Sequence, residues 1–362
     1  MTSERSVPPT ISEVAAAAGV GRSTAARTLG GYGYVGQELR ERVLEAADRL
    51  GYRANALARS MSTGVSQTLG VIVADIANPF FGGVVRGISD AAKARGVETL
   101  VLSTYEDLAE EIAATNVLID KRVDGIVVAS AALDAASAGH IQEARDRGIP
   151  VVLVDRAVTG LHLDAVVIDN RDAARGAVTR LLDAGHRRVG FVWGPPVEER
   201  PRRRRELIDL AARNLWTDGE RLQGYLDALD DAGMAFDADL VMVGAKTEEH
   251  AQVEVERMLD LESPPTALFC TENDAVTGAL RALRARGVRV GADISLIGFD
   301  DSSWAAVMEP PLTMIEQPTL ALGTRAAEVL FAAIDGESGA AELHTLKTRY
   351  IERSSVAPPP AG

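Results

Sequence analysis

From Thr68 onward the sequence keeps one texture for most of its length: short β-rich runs separated by amphipathic helical patterns. The runs are Leu69–Ala74, Thr99–Leu102, Gly125–Val128, Val151–Val154, Val166–Ile168, Val189–Trp193, Leu240–Val243, Ala267–Phe269 and Ser295–Phe299. Helical patterns such as Phe80–Arg95 and Asp274–Arg286 lie between most of them. A helical crossover returns the chain to the same end of a sheet, so this alternation predicts parallel sheets covered by helices. About 290 residues of the pattern exceed one comfortable hydrophobic core, and two α/β lobes are expected.

The first 60 residues read differently. Residues 10–50 are helical in pattern, with no strand run. Thr10 or Ser12 can cap a first helix that runs to about Ala18. Gly19 stands where a tight inter-helix turn needs a positive φ, and Val20 follows as the buried turn residue. A second helix is expected from about Arg22 to Leu29, with small Ala15 letting the two approach. A third, Gln37 to Leu50, offers Leu39, Val43, Leu44, Ala47 and Leu50 to close a mini-core. The plain alternative is an ordinary helical hairpin. A decoy follows directly, since Gly31-Tyr-Gly-Tyr-Val-Gly36 satisfies the dinucleotide-loop pattern G-x-G-x-x-G. Such a loop must leave a strand, whereas this one leaves a helix.

Charge bears on what this front segment can touch. The whole chain carries −14, yet residues 1–62 hold eight Arg against six acidic residues, a net +2 that leaves −16 for the rest. An acidic body repels a phosphate backbone, so any nucleic-acid contact is confined to a small local surface.

Two stretches, Thr10-Ile-Ser-Glu-Val-Ala-Ala-Ala-Ala-Gly-Val-Gly-Arg-Ser-Thr-Ala-Ala-Arg-Thr-Leu29 and Gly51-Tyr-Arg-Ala-Asn-Ala-Leu-Ala-Arg-Ser-Met61, together closely resemble the lactose-repressor/galactose-repressor (LacI/GalR) family. The resemblance continues through Gly70-Val-Ile-Val, Asn78-Pro-Phe-Phe81, Arg122-Val-Asp-Gly125, Asn273-Asp274, Ser295-Leu-Ile-Gly-Phe-Asp-Asp301 and Gln317-Pro318. It implies a helix-turn-helix DNA-binding domain over residues 8–53, a hinge segment over 54–65, and a two-lobed, periplasmic-binding-protein-like sensor over 66–356. On this reading the N-lobe takes about 66–162 and 316–344, and the C-lobe about 163–315 and 345–356. The chain would cross between lobes near Gly160–Asp164, Thr313–Gln317 and Leu343–Thr348.

What the resemblance implies about function is equally specific. The second helix would enter the major groove of an operator, with Arg22, Ser23, Thr24, Ala26 and Arg27 at the contacting positions. In the hinge, Asn55, Ala58 and Met61 would meet the minor groove, Met61 as an apolar wedge between base pairs. Gly21 and Gly36 stand where members of the family usually carry serine, and Leu39 replaces a usual threonine; each removes a possible phosphate contact. In the sensor, Phe80, Phe81, Asp155, Arg221, Phe269, Asn273 and Asp300 fall at ligand-contacting positions. For Phe80 and Phe81 core packing is the competing role, and at least one is expected to face inward. An Arg, carboxylates and an amide suit a polyol, whose hydroxyls both donate and accept. The chain is thus expected to be a sequence-specific transcriptional regulator, a repressor, binding a pseudo-palindromic operator as a homodimer under control of a sugar. A nucleoside or purine effector, and a solute-binding protein without DNA activity, are the alternatives.

One region departs from the family. Pro195 to Asp218 is longer than the usual link and contains Pro201-Arg-Arg-Arg-Arg205. It reads as a solvated surface insertion, or as a contact for an anionic ligand. An enzyme on the same scaffold is not expected: there is no H-E-x-x-H, G-x-S-x-G or P-loop, and His140, His162, His186, His250 and His344 lack ligand spacing. No cofactor or metal is called for. Cys270 ends an apolar strand, and a lone cysteine fits a reducing cytosol. Met1 to Thr10 lacks the apolar core of an export signal, and no run approaches roughly 18 apolar residues, so a cytoplasmic protein without a membrane span is expected. The Pro-rich end, Ala357–Gly362, reads as disordered.

Overall fold

The computed structural model describes residues 9–30, 32–52, 64–337 and 339–360. The chain divides into two compact units, Met1–Gln67 and Thr68–Gly362.

The described residues of the first unit form three helices: α1 (Ile11–Ala18), α2 (Arg22–Gly30) and α3 (Gln37–Leu50). Thr10 starts α1 through a reciprocal capping box: its hydroxyl accepts from the Glu13 amide, and its own amide donates to Glu13 Oε2 at 2.6 Å. Gly19 ends α1 at φ 62°, a conformation that costs an ordinary residue its Cβ clearance. Arg42 Nη2 donates to the Ala18 carbonyl at 2.6 Å and so ties α3 to the end of α1. The mini-core is Val14, Ala15, Ala18, Ala25, Val43, Ala46 and Ala47, with Val20 half-buried against it. Leu39, Leu44 and Leu50, expected in this core, are exposed instead. The inward face of α3 is the narrow strip Val43, Ala46, Ala47, because helices this small meet over alanines. No strand occurs among the described residues of this unit, which removes the βαβ context a dinucleotide loop needs.

The second unit opens with β1 (Thr68–Val73), α4 (Pro79–Ala94), β2 (Glu98–Ser103), α5 (Leu108–Lys121), β3 (Gly125–Val128), α6 (Gly139–Asp146), β4 (Val151–Val154) and β5 (Ala165–Ile168). It continues with α7 (Asn170–Asp183), β6 (Val189–Val192), α8 (Arg204–Ala211), α9 (Trp216–Asp231), α10 (Glu248–Leu259), β7 (Ala267–Cys270), α11 (Asn273–Ala285), β8 (Ser295–Phe299), α12 (Ser303–Val307) and β9 (Thr313–Glu316). It closes with α13 (Thr319–Ile334), β10 (Leu343–Leu346) and β11 (Arg349–Ile351). One lobe is a parallel six-stranded sheet, β10-β5-β4-β3-β1-β2; the other is five-stranded, β11-β9-β8-β7-β6, parallel except where β11 meets β9. Strands β3, β4, β5, β6 and β7 are buried along their whole length, as continuous apolar runs must be when helices cover both faces.

Helices α4 and α13 pack across the N-lobe sheet at backbone distance. A Cβ placed on Gly323 would stand 2.0 Å from the Val84 carbonyl oxygen, and one on Gly87 would stand 2.2 Å from that of Leu320.

Three expectations change. Strand β5 pairs with β4 (Leu153↔Ala165) and with β10, so it belongs to the N-lobe and the first crossing falls at Asp169, beyond Gly160–Asp164. The N-lobe therefore runs through Ile168 and resumes to Leu346, past the anticipated 162 and 344. Leu240–Val243 is not a strand: a 3-10 turn, Ala238–Leu240, precedes a single bridge from Val241 to Phe191. Arg200 donates to the Val241 carbonyl, taking an acceptor that a strand ladder would use. The tail is ordered through Pro360, since Ala357 exchanges hydrogen bonds with Ser295 and receives one from His186 Nε2 at 2.9 Å.

The three crossings lie side by side. The Thr348 amide donates to Asp169 Oδ1 at 2.9 Å, Lys347 pairs with Asp169 at 3.1 Å, and Arg349 opposes Glu316 in the β11–β9 register.

Candidate functional site

In the first unit, α2 presents Arg22, Ser23 and Arg27 to solvent, with Thr24 and Ala26 half-buried and Ala25 turned into the core. Arg27 Nε reaches back to the Ser23 carbonyl at 3.3 Å, which lays its guanidinium along the exposed face. Gly36 precedes α3 without a side-chain cap, as its lack of a hydroxyl dictates. Asn55, Ala58 and Met61 lie outside the described residues.

In the second unit, the carboxyl ends of both sheets face one cleft of about 470 Å³, within the usual range for small-molecule sites. The N-lobe wall is Asp75 after β1, Phe80 and Phe81 on the first turn of α4, Tyr105 and Glu106 after β2, and Asp155 and Arg156 after β4. Asn78 caps α4 through the Phe80 amide at 3.0 Å, and the two Phe rings meet edge to face at 4.9 Å. Both rings line the cleft with part of their surface and otherwise pack into the lobe core. The opposite wall brings Trp193 after β6, Asp218 and Arg221 from α9, Lys246, Glu272 and Asn273 after β7, and Asp300 and Trp304 after β8.

Arg221 is 2% exposed and almost fully committed. Its Nε donates to Asn170 Oδ1 at 2.8 Å, its Nη1 donates to the Thr271 carbonyl at 2.7 Å and to Glu272 at 2.6 Å, and its plane lies 4.0 Å over the Phe299 ring. Arg156 is held likewise, with Nε on Asp155 at 2.9 Å and Nη2 on Glu106 at 3.0 Å. Asp300 accepts from Gln317 Nε2. Among the described residues, Arg156 Nη1, Asn273 Oδ1 and Gln317 Oε1 are buried polar atoms without a partner. The residues that carry this one donor and these two acceptors all line the cleft.

Burial raises the carboxyl groups of Asp155, Glu272 and Asp300 above the usual range, against the pull of Arg156 on the first and Arg221 on the other two. Glu272 touches solvent, yet it sits in a concavity with Asp300, Asp218 and Asp155 close enough to oppose its charge. Seven non-glycine residues among those described have positive φ, and five of them line this cleft: Tyr105, Glu106, Asp155, Trp193 and Asp300. Backbone strain of this kind concentrates where side chains must be aimed.

Of the sensor residues expected from sequence, Phe80, Phe81, Asp155, Arg221, Asn273 and Asp300 share the cleft. Phe269 does not: it is fully buried, 6.0 Å from the Phe191 ring and 6.5 Å from that of Phe299, inside β7 rather than beyond its end. Sequence reading passed over Arg156, Trp193, Glu272 and Tyr105, although each lies within two residues of the end of a parallel strand. That rule had selected Asp155 and would have found them. Asp218 and Lys246 carried no comparable signal.

Three of the four arginines in the run of the Pro195–Asp218 segment, and Arg200 just before it, pair with carboxylates of the chain. Arg200 pairs with Glu254 at 2.6 Å, Arg202 with Asp239 at 3.2 Å, Arg203 with Glu206 at 3.9 Å, and Arg204 with Asp230. Cys270 is buried, which pushes its thiol well above the usual range and away from reactivity. Among the described residues no group of His, Cys, Asp and Glu could hold a metal ion, and no helix is long and apolar enough to cross a membrane.

Two family models match. One described as bacterial regulatory proteins, lacI family, covers residues 10–55; the other, periplasmic binding proteins and sugar binding domain of LacI family, covers 66–353. The HTH-type transcriptional regulator CelR of Thermobifida fusca is 34% identical over 97% of this chain and 99% of its own. The HTH-type transcriptional repressor CytR of Escherichia coli (strain K12) is 32% identical over 96% of each. Among solved structures, a CelR–cellobiose complex is 32% identical with a TM-score of 0.69, covering 96% of this chain and 100% of that one. The lac repressor dimer bound to operator and the anti-inducer ONPF is 25% identical with a TM-score of 0.81, covering 97% and 100%.

Proposed function

Because the chain belongs to the LacI family, and is with it a DNA-binding transcriptional regulator, we propose that it is a cytoplasmic homodimeric repressor released or recruited by a neutral sugar. The observation that carries the effector half is the charge and hydrogen-bond inventory of the cleft. Seven carboxylates (Asp75, Glu106, Asp155, Asp218, Glu272, Asp274, Asp300) outnumber three cations (Arg156, Arg221, Lys246), which repels an anionic ligand. Residues with unpartnered donors and acceptors share the cleft lining with Trp193, Trp304 and Tyr105, a combination that matches the alternating polar edges and apolar faces of a sugar ring. CelR, the relative whose solved complex holds cellobiose, supports the same ligand class.

For the DNA half, two copies of α2 would read the half-sites of a pseudo-palindrome, with Arg22 and Arg27 best suited to guanine edges. Electrophoretic retardation of the DNA upstream of the chain's own gene tests both halves. The wild type is expected to retard it, and neutral sugars to change the retarded fraction where nucleosides do not. Arg27→Ala is expected to lose about 1–3 kcal/mol of preference for this DNA over a scrambled sequence. Full discrimination by that variant removes Arg27 from base reading, and a response to nucleosides alone overturns the sugar.

A further inference from the structure

The segment between β6 and α9 is longer than the link usual in the family, and its surplus is folded rather than loose. Leu207 and Ala211 of α8 are buried, and the Ala211 carbonyl oxygen stands where a Cβ on Gly219 would intrude, so α8 and α9 meet backbone to backbone. Arg200 and Arg204 fasten the segment to Glu254 on α10 and Asp230 on α9. At its far end Asn214 Oδ1 accepts from the Leu215 amide at 2.9 Å and from Lys246 at 3.1 Å, and Lys246 also pairs with Asp218. The start of α9 is thus held firmly to the C-lobe.

One residue of that start reaches the other lobe. Trp216, the first residue of α9, is half-buried, and the apolar cluster it packs on belongs to the N-lobe, with Ile72, Val128, Leu153 and Val167 from four of its strands. Among the described residues every other member of that cluster falls within 72–167, so Trp216 alone comes from across the cleft. A second link runs beside it. Arg156, in the loop after β4, lies within electrostatic reach of Asp218, two residues along α9 from Trp216. Val158 of the same loop is buried in the cluster that receives Trp216. The chain crossings join the lobes covalently, whereas this apolar and charged contact is a joint that opening the cleft would break.

We propose that the β6–α9 segment is a strap that ties the lobes together through Trp216 and holds the sensor closed before a ligand arrives. Opening withdraws the indole from the N-lobe and returns its apolar surface to water. Keeping it covered weights the closed form over the open by about tenfold. The cleft is then preformed, and a ligand binds without first having to shift that equilibrium. The strap acts whichever ligand the cleft takes.

Double electron–electron resonance on the full chain reads the lobe separation directly. Spin labels go on Ala136→Cys, in the exposed β3–α6 loop of the N-lobe, and on Glu249→Cys, exposed on the first turn of α10 in the C-lobe. Cys270 is buried and stays unlabelled. Without ligand, the chain carrying only the labels is expected to give one dominant distance. Trp216→Ala is expected to shift the closed-to-open ratio by about tenfold, seen as the growth of a second distance. Trp216→Gln, which keeps bulk but gains nothing from apolar burial, is expected to do the same and guards against the alanine variant failing to fold. Trp216→Phe, which keeps an aromatic ring, is expected to retain the parent distance. An unchanged distribution in either folded alanine or glutamine variant overturns the strap. So does a parent chain that already samples both distances, or a phenylalanine variant that opens as far as the alanine one.

Discussion

Asp155, Glu272 and Asp300 are aimed into the cleft from residues just past their strands, two of them at positive φ, and burial disfavours their charged forms. A carboxyl whose folded pKa is raised holds its proton to higher pH than the unfolded chain does. Its contribution to stability is greatest below the unfolded value near 4.5 and is lost as pH rises from there through the folded value. The thermal midpoint of ligand-free wild type minus that of Glu272→Gln is therefore expected to fall as pH rises above about 4.5. A pH-independent difference refutes the raised value. At this scale the sequence was legible where a residue followed a strand end, because the rule for parallel sheets names the position and not the residue type. Phe269 misled because its one-residue offset from the strand end turns it into the core. Asp218 and Lys246 were illegible because their meeting depends on a segment longer than the link usual in the family.

Among the elements, the bounds of α1 to α3 were legible almost to the residue, since capping by Thr10 and the turn at Gly19 point the same way, whereas the inward face of α3 was not. β5 was assigned to the wrong lobe because a short apolar strand pairs equally well on either side of a crossing, and only the register with β4 and β10 decides. The order of the tail was hidden in long-range bonds from Ser295 and His186 that no local composition reveals. The α4–α13 contact is a more demanding case, since it depends on two glycines. Gly323→Ala puts a Cβ against the Val84 carbonyl, a backbone atom that cannot step aside, and is expected to destabilise the sensor by roughly 1–3 kcal/mol in urea unfolding. Gly82→Ala on the same α4, with nothing within 4 Å of its Cβ, is the matched control and should cost far less.

At the scale of the molecule, the hydrophobic clusters of residues 68–360 draw only on residues of that unit. A chain beginning at Thr68 is expected to fold and to bind sugar with the affinity of the full chain while losing DNA retardation; lost sugar binding would show that the front segment completes the sensor. Within that sensor, the chain passes between lobes at Asp169, Gln317 and Lys347, and hydrogen bonds and strand pairing hold these passages as neighbours. Three parallel tethers fastened together resist sliding and twisting and yield to bending about one axis. A ligand that bridges the two walls of the cleft would then act on the sensor chiefly through the angle between its lobes.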